Sequence, residues 1–493
     1  MIGIICEREV VMDLVENILK DKNLRESLIE LRKQFQEEMS LDKYSQLQDK
    51  LKKLLQHEDP KVRKNVAILL GYYKGNIPIL LEAYHHEKIE YVKEAYLKGI
   101  SQQNCHEYLY ELKNIQQELL KSEEVSAKHI QAQLKVLNPL ILDHQPHKKK
   151  LIKLKHQPID VILTTLPYYQ FVVFEHVLPL LYKPISQGVL VRTDSLYDLQ
   201  SIRVYKEMLI PVGAALLNPN IEDITEGLKR CYILNILERI YDENSFFYYR
   251  VVDELREKNS QLIKQVSQKI FELYPQKLLN SSHNYDIEIV LKEVKRGTVN
   301  IYLRLSHLSN PRFHYRKNVI SNSIHPYVAA TLVQIAKPYM KDDAKVLDPF
   351  VGTGTLLIEK NIVKPSHFSM GVDIYGQAIE MARKNTKIAN QTIYYVHKDA
   401  LRFCNKEMFD EIITDMPTYA QLKDEKQLTD VYDRFFARIH RLVKPGGYVF
   451  LYTSEIALVR KNLRLQDNYL SLEEHYEIPR GKHMFYFFII RLK

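Results

Sequence analysis

The segment DPFVGTGT, residues 348–355, constrains the fold more than any other part of the chain. It follows the apolar run AKVL and precedes the helical pattern LLIEKNI. Glycines at such a point let the backbone turn sharply and approach a ligand without a Cβ in the way. The segment is neither GxGxxG nor a Walker motif, since no GK[ST] follows it, so phosphate binding is not its obvious use. The pattern predicts a ligand-binding loop at the carboxyl end of a strand in an open α/β sheet.

Strand and helix patterns alternate through residues 309–493. The strand-like runs are AKVLDPF, SMGVDI, TIYYVHKDA, EIITDMP and GYVFLYTS, with helical patterns between them. The chain closes with LSLEEHYEIP and HMFYFFIIRL, which predict an antiparallel hairpin around residues 479–481. A hairpin added to a parallel sheet is typical of class I methyltransferases and not of nicotinamide dehydrogenases. The order of elements therefore predicts a doubly wound, Rossmann-like domain of seven strands.

Two more carboxylates follow the glycine segment at successive strand ends. Asp373 ends the second predicted strand and Asp399 ends the third. A carboxylate at the first of these positions can accept hydrogen bonds from both ribose hydroxyls of a nucleotide-like cofactor. Asp399 could accept one from an adenine amino group. A single such Asp is more often a helix cap or turn residue. Three acids at successive strand ends beside a glycine loop favour a cofactor site.

The fourth predicted strand ends in DMPTY, residues 415–419. Asp415 is followed by the rigid Pro417, and a carboxylate held this way suits an amine acceptor. It can take a hydrogen bond from an exocyclic NH₂ group and orient the nitrogen lone pair towards a methyl donor. The alternative is a purely structural Asp-x-Pro turn.

Residues 1–145 are predicted to be helical throughout, with apolar residues at three- and four-residue steps. DPKVRKNVAILLG and EKIEYVKEAYLKGI resemble one another at a shift of 30 residues, from Val62 to Val92. Such self-similarity predicts a HEAT-like helical repeat that could bind a protein partner. The alternative is an unrelated helical bundle. A basic tract, residues 147–155, follows, and we interpret it as a solvated linker in preference to a nucleic-acid patch.

Residues 155–308 mix β-like runs with helical patterns. PIDVILTTL, GVLVRTD, FFYYRVV, YDIEIVLKEV and TVNIYLRLS predict strands, while LYDLQSIRVYKEML and VDELREKNSQLIKQVSQKIFEL predict helices. This mixture predicts a compact α+β region. The complete chain is thus predicted to be multidomain, with helical, α+β and Rossmann-like α/β parts.

Bulk properties narrow the function classes. The four cysteines lie far apart without a CxxC or Cys/His cluster, so neither a disulfide framework nor a metal site is predicted. No apolar run is long enough to cross a membrane, and the amino-terminal stretch lacks signal-peptide features, so a cytoplasmic location is expected. The net charge of +9 is compatible with a polyanionic partner.

The motifs together resemble the THUMP-containing RNA guanine-N2 methyltransferases, which modify tRNA. The resemblance rests on DPFVGTGT, GVDI, the Asp399 strand end and DMP, and more loosely on the run before residue 308. It implies an S-adenosyl-L-methionine cofactor and tRNA as the partner. It implies cofactor binding by Asp348, Phe350, Gly352, Gly354, Thr355, Asp373 and Asp399, catalysis at the base by Asp415 and Pro417, and substrate contacts by Arg316, Thr418 and Tyr419. It also implies a ferredoxin-like and THUMP-like RNA-binding region over residues 155–308.

The chain departs from that family's pattern immediately after the proline. The family has an aromatic residue there, whereas this chain has Thr418, with Tyr419 one position later. An interaction protein that binds the cofactor without turnover therefore remains an alternative. Amino-group methylation of DNA adenine or protein glutamine is another alternative, although neither explains the α+β region.

Overall fold

The computed structural model describes residues 2–34, 45–122, 128–144, 150, 152–154, 157–241, 246–275, 277–308, 310–321 and 323–493. Contacts within the chain divide it into two compact units. Unit 1 combines Met1–Ile152 with Val212–His307, and unit 2 combines Lys153–Pro211 with Leu308–Lys493. The predicted middle region contributes to both units, and its assignment as one domain stays a prediction. Most of the predicted basic linker lies outside the described residues.

Unit 1 begins with a series of helices. These are α1 (Ile2–Leu19), α2 (Leu24–Gln34), α3 (Ser45–Leu54), α4 (Pro60–Leu70), α5 (Ile77–His86), α6 (Glu90–Ser101), α7 (Leu109–Lys121) and α8 (Lys128–His144). Helix α4 begins after Asp59, whose side chain accepts a hydrogen bond from the amide of Lys61 and so caps the helix. The aligned positions Val62 and Val92 are both buried in one core. The apolar spacing therefore places residues of α4 and α6 in a common core, while the HEAT-like repeat itself stays a prediction.

The second stretch of unit 1 forms a four-stranded sheet. Its elements are α10 (Ile221–Arg230), α11 (Ile233–Ile240), β5 (Phe247–Glu254), α12 (Ser260–Leu273), β6 (Leu278–Asn280), β7 (Ile287–Lys295) and β8 (Thr298–Leu305). Strand β7 lies antiparallel to β8 and parallel to β5, which is parallel to β6. Residues 287–291 of β7 are buried on both faces, and Glu288 on the polar face pairs with Arg250 and Arg304. Helix α8 packs on this region through Leu134, which lies in one apolar cluster with Leu279.

The first stretch of unit 2 forms a small antiparallel sheet in the order β2-β3-β1-β4. Its elements are β1 (Ile159–Thr164), α9 (Phe171–Val177), β2 (Leu181–Ile185), β3 (Gly188–Thr193) and β4 (Met208–Pro211). The helix predicted for LYDLQSIRVYKEML is wrong, because only Asp198–Ser201 forms a 3₁₀ turn. The reason is tertiary. The carbonyls of Ile202 and Tyr205 accept hydrogen bonds from the buried Arg312, so this backbone is bonded elsewhere in unit 2.

The second stretch of unit 2 contains a seven-stranded sheet in the order β11-β10-β9-β12-β13-β15-β14. Its strands are β9 (Lys345–Asp348), β10 (Phe368–Asp373), β11 (Tyr394–His397), β12 (Phe409–Asp415), β13 (Val443–Thr453), β14 (Leu470–Arg480) and β15 (His483–Leu492). Its helices are α13 (Pro326–Ala336), α14 (Thr355–Val363), α15 (Gly376–Ile388), α16 (Tyr419–Leu422), α17 (Glu425–Phe436), α18 (Ile439–Leu442) and α19 (Ile456–Leu465). Strands β9–β13 are parallel, and β14 and β15 form the predicted antiparallel hairpin.

A buried ion pair joins the two stretches of unit 2. The guanidinium of Arg203 donates to both carboxylate oxygens of Glu359, at 2.7 and 2.8 Å, and the hydroxyl of Tyr315 donates to the same carboxylate at 2.6 Å. Glu359 lies on α14, the helix that follows the glycine segment. Among the described residues, no helix is long and apolar enough to cross a membrane.

Candidate active site

The glycine segment forms a tight loop between β9 and α14. Gly352 and Gly354 adopt positive φ angles of 53° and 83°, a region that side chains with a Cβ rarely enter. A Cβ on Gly354 would also lie 2.6 Å from the hydroxyl oxygen of Tyr395. Glycine is therefore required at position 354 both by the backbone conformation and by the space available.

Asp348 occupies the base of this loop. Its side chain is buried and accepts hydrogen bonds from the amide of Phe350 at 3.1 Å and from the hydroxyl of Thr414 at 2.7 Å. Burial raises the pKa of Asp348 to about 8, and the nearby Asp415 and Asp373 add to the effect. The carboxyl groups at these strand ends are thus close enough to repel one another electrostatically.

Asp373 and Asp399 lie at the neighbouring strand ends. One oxygen of Asp373 accepts from the amide of Gly352 at 2.8 Å and the other accepts from the amide of Tyr375 at 2.9 Å. Asp399 caps a short 3₁₀ turn by accepting from the amide of Leu401 at 2.8 Å. The local capping role considered for an isolated Asp is therefore real at Asp399. Each carboxylate oxygen has further lone pairs, so this role does not prevent ligand binding.

Asp415 ends β12, opposite Tyr452 of β13. Burial raises the pKa of Asp415 to about 7, although the cation of Arg480 opposes this rise. The turn that follows is fixed, because the carbonyl of Pro417 accepts a hydrogen bond from the hydroxyl of Tyr432 at 3.0 Å. A carboxyl group that titrates near neutral pH can both accept hydrogen bonds and take up a proton.

The three predicted substrate residues lie apart from this group. Thr418 begins helix α16, where its side chain and that of Gln421 form a capping box. Tyr419 is 54% exposed. Arg316 lines a different cavity, and its guanidinium donates to the carbonyls of Ser323 and Ile324 at 3.4 Å. None of the three lines the cavity that contains Asp415.

One cavity of about 800 Å³ brings most of the other candidates together. Those that line it are Asp348, Phe350, Gly352, Thr355, Asp373, Asp399, Asp415 and Pro417. Gly354 supports the loop without lining the cavity. Sequence reasoning did not single out further lining residues, namely Tyr375, Gln421, Gln427, Asp430 and Arg434. Most of these lie on helices that follow the Asp415 turn. Polar side chains on a helix that contact a ligand have the same spacing in the sequence as those that face solvent.

The cavity suits a methyl donor with a nucleoside part. Its volume lies within the range of about 300–1,000 Å³ that is common for small-molecule sites. Its carboxyl groups offer hydrogen-bond acceptors, and a sulfonium or ammonium cation would relieve their mutual repulsion. Among the described residues, no group of three or more His, Cys, Asp or Glu side chains is arranged to hold a metal ion.

Comparison with known proteins agrees with this geometry. Residues 314–477 match the family described as RMKL-like, methyltransferase domain. The segment is a methyltransferase domain. The match supports the predicted cofactor of this domain, S-adenosyl-L-methionine.

Similar proteins support the same class. A tRNA (guanine(10)-N2)-dimethyltransferase of Methanothermobacter thermautotrophicus is 27% identical over 184 residues, which are 35% of this chain and 52% of that protein. The chain thus spans about half the length of this curated relative. TrmN from Thermus thermophilus has 19% identity and a TM-score of 0.50, covering 68% of this chain and 99% of that one. SMU.472, solved in complex with SAH (S-adenosylhomocysteine), has 14% identity and a TM-score of 0.52, covering 68% and 98%. These structures confirm the Rossmann-like methyltransferase fold.

Proposed function

We propose that this protein is an RNA methyltransferase that adds a methyl group to the exocyclic N2 of a guanosine in tRNA. The observation that carries the proposal is the position of Asp415. It lies in the same cavity as the glycine loop and the acids at the first three strand ends, on a turn fixed by Pro417. The similar tRNA (guanine(10)-N2)-dimethyltransferase supports the choice of guanosine and of tRNA.

The cofactor supplies an activated methyl group, so the protein's task is mainly to position the acceptor. In its ionised form, Asp415 accepts a hydrogen bond from the exocyclic NH₂ group and directs the nitrogen lone pair at the methyl carbon. Methylation of this nitrogen by the bound cofactor would require the nitrogen to release one proton. Asp415 can receive that proton, because its pKa of about 7 lies near the working pH.

The acids at the first strand ends hold the cofactor in this proposal. Asp373 would accept hydrogen bonds from the ribose hydroxyls, and Asp399 would accept one from the adenine amino group. Phe350, Gly352 and Thr355 line the same cavity, while Gly354 maintains the loop. The base must be extruded to reach Asp415, since bases inside a helical stack are inaccessible to such a pocket.

The remaining regions have supporting roles in this proposal. Residues 155–308 act as the ferredoxin-like and THUMP-like RNA-binding part, and the HEAT-like helices of 1–145 offer a surface for a protein partner. Arg316 contacts the RNA. A cytoplasmic location fits tRNA as the substrate.

A second candidate is a cofactor-binding protein without turnover, and Thr418 is the observation that favours it. Thr418 takes the place of an aromatic residue that could stack on the base, and its side chain is engaged in capping α16. Tyr419 is largely exposed and lies outside the cavity lining. Base stacking, if required, must therefore come from another residue or from a movement of Tyr419.

The test is transfer of labelled methyl groups from S-adenosyl-L-methionine to bulk tRNA, followed by digestion to nucleosides. Asp415→Asn and Asp415→Ala are compared with Asp467→Ala, which changes an exposed Asp on the same domain. Cofactor binding is measured in parallel by calorimetry. We expect label in N2-methylguanosine for the wild type and Asp467→Ala, and a loss of at least about a hundredfold for both Asp415 variants.

Each other outcome has a definite meaning. Cofactor binding with no label in tRNA would contradict the proposal and favour the protein without turnover. In parallel assays with DNA or protein as the acceptor, label in N6-methyladenine or in a protein would move the activity to a different amine acceptor. Full activity in Asp415→Ala would show that the Asp-x-Pro turn is only structural.

A further inference from the structure

A second cavity, of about 550 Å³, lies in unit 2 beside the active site. Its wall includes Lys206, Arg316, His325, Tyr327 and Arg480. These residues come from three separate parts of the chain: the small antiparallel sheet's last connection, the approach to α13 and the end of β14. Only the folded unit brings them together, so their spacing in the sequence is uninformative.

The cavity carries positive charge without paired carboxylates. Among the described residues, no carboxylate forms an ion pair with Lys206, Arg316, His325 or Arg480. The pKa of His325 is lowered, mainly by burial and also by the neighbouring cations Arg316, Arg480 and Lys206. The second effect is consistent with a positive potential in the cavity. Glu207 acts on Tyr327 but does not line the cavity. Cations without an ion-pair partner in a concave site attract anions. Arg480 also interacts electrostatically with the nearby Asp415.

Arg316 has an unmet hydrogen-bonding requirement. Its Nε–H is buried without an acceptor, and the two bonds that its guanidinium makes to backbone carbonyls are long, at 3.4 Å. His325 precedes helix α13 at the N-cap position, and its side chain makes no capping bond. The amino-terminal end of that helix adds a partial positive charge. An anion in the cavity would interact favourably with the charge of Arg316 and with this end of the helix.

The second cavity adjoins the candidate active site. Ser323 and Ile324 line the cavity that contains Asp415, whereas the next residues, 325–328, line the second cavity. Arg480 is near enough to Asp415 to lower its pKa. Consecutive residues of one short segment therefore line the two cavities.

We propose that the second cavity binds a backbone phosphate of the RNA, next to the nucleotide whose base is held at Asp415. This inference rests on the proposed function. Arg316 and Arg480 donate hydrogen bonds to the phosphate oxygens, Lys206 adds a point charge, and Tyr327 lies beside the sugar. Binding there fixes the register of the base in the active site, because phosphate contacts position a nucleic acid without reading its sequence.

The experiment measures binding of labelled bulk tRNA at several KCl concentrations with SAH present. It compares the wild type with Lys206→Gln, His325→Gln and Arg480→Gln, and with the control Arg460→Gln, an exposed arginine on α19. We expect Lys206→Gln and Arg480→Gln to bind tRNA about tenfold more weakly, as loss of one charge-assisted contact implies. His325→Gln should have a smaller effect, because the pKa of His325 is lowered and its substitution removes little charge. The salt dependence of Lys206→Gln should be shallower by about one phosphate contact. Circular dichroism and SAH affinity should be unchanged in Lys206→Gln.

Wild-type affinity and salt dependence in a Lys206→Gln/Arg480→Gln double variant would overturn this inference, as would an absence of tRNA binding by the wild type. Methyl transfer is assayed on the same samples to separate the two proposals. Transfer that persists while binding ignores the cavity variants would retain the proposed function and reject the phosphate site. Binding that depends on the cavity without any methyl transfer would reject the proposed function and retain the phosphate site.

Discussion

The pair of Arg203 and Glu359 allows a quantitative test of how unit 2 is held together. Glu359 is fully buried, and Arg203 is largely so. Burial raises the pKa of Glu359, and the hydrogen bonds from Arg203 and Tyr315 offset that rise only in part. Replacing Arg203 with Met removes the cation while retaining much of the side-chain volume. The carboxylate then remains buried with the single donor Tyr315.

We expect Arg203→Met to lower the free energy of unfolding by about 3–5 kcal/mol at pH 8. This is the usual cost of leaving one charge of a buried ion pair without its partner. Glu359 can escape part of this cost by taking up a proton. When the pKa of a carboxyl group is raised on folding, the protein becomes less stable as the pH rises. The loss of unfolding free energy in Arg203→Met should therefore be smaller at pH 6 than at pH 8.

Urea denaturation followed by circular dichroism provides the measurement, since the chain has no tryptophan for fluorescence. Glu359→Gln is the matched variant, because its amide can still accept from Tyr315. In the Glu359→Gln background, Arg203→Met should cost less than about 1.5 kcal/mol, since no buried carboxylate is left unpaired. An equal cost in both backgrounds would refute the reasoning and show that Arg203 acts through packing alone.

Three further predictions concern the active site. Gly354→Ala should destabilise unit 2 by at least about 1–2 kcal/mol, because Ala is strained at this positive φ. Calorimetry should also find weaker binding of S-adenosyl-L-methionine. Wild-type affinity would argue against a close fit of the loop to the cofactor. Without cofactor, Asp348→Asn should become more stable relative to the wild type as the pH rises from 5 to 8, by at most about 1.4 kcal/mol per pH unit. The reason is that the pKa of Asp348 is about 8 in the folded protein, so the wild type loses stability as the pH rises while the variant does not. Unfolding curves at both pH values test this. The methyl-transfer rate should rise through pH 7 and then level off if Asp415 acts as the carboxylate, and Arg480→Gln should move the inflection to higher pH; a flat profile would exclude that role.

The sequence was most informative where the chemistry depends on local order. Asp348, Asp373 and Asp415 were predicted to end parallel strands, and parallel strands present their carboxyl ends at one edge of a sheet. Their convergence on one cavity follows from that rule. The positive φ angles of Gly352 and Gly354 likewise follow from the need for a sharp turn between β9 and α14.

The sequence was least informative where distant segments meet. Arg203 and Glu359 are 156 residues apart, and the sequence around neither residue predicts that they form an ion pair. The backbone around Tyr205 does not form the predicted helix, because the carbonyls of Ile202 and Tyr205 accept hydrogen bonds from Arg312 in another part of unit 2. Short strands such as Leu181–Ile185 were also missed, since an exposed five-residue run with a proline lacks strand periodicity.

The division of each unit between two stretches of chain has a consequence during synthesis. Residues 153–211 leave the ribosome before any of 308–493, and all of 212–307 is made in between. Arg203 therefore has no Glu359 to pair with until translation is well advanced. Until then, the newly made small sheet remains accessible to chaperones and proteases. For the same reason, a truncated fragment that begins at residue 309 would contain every candidate active-site acid, yet it would bury Glu359 without its cation.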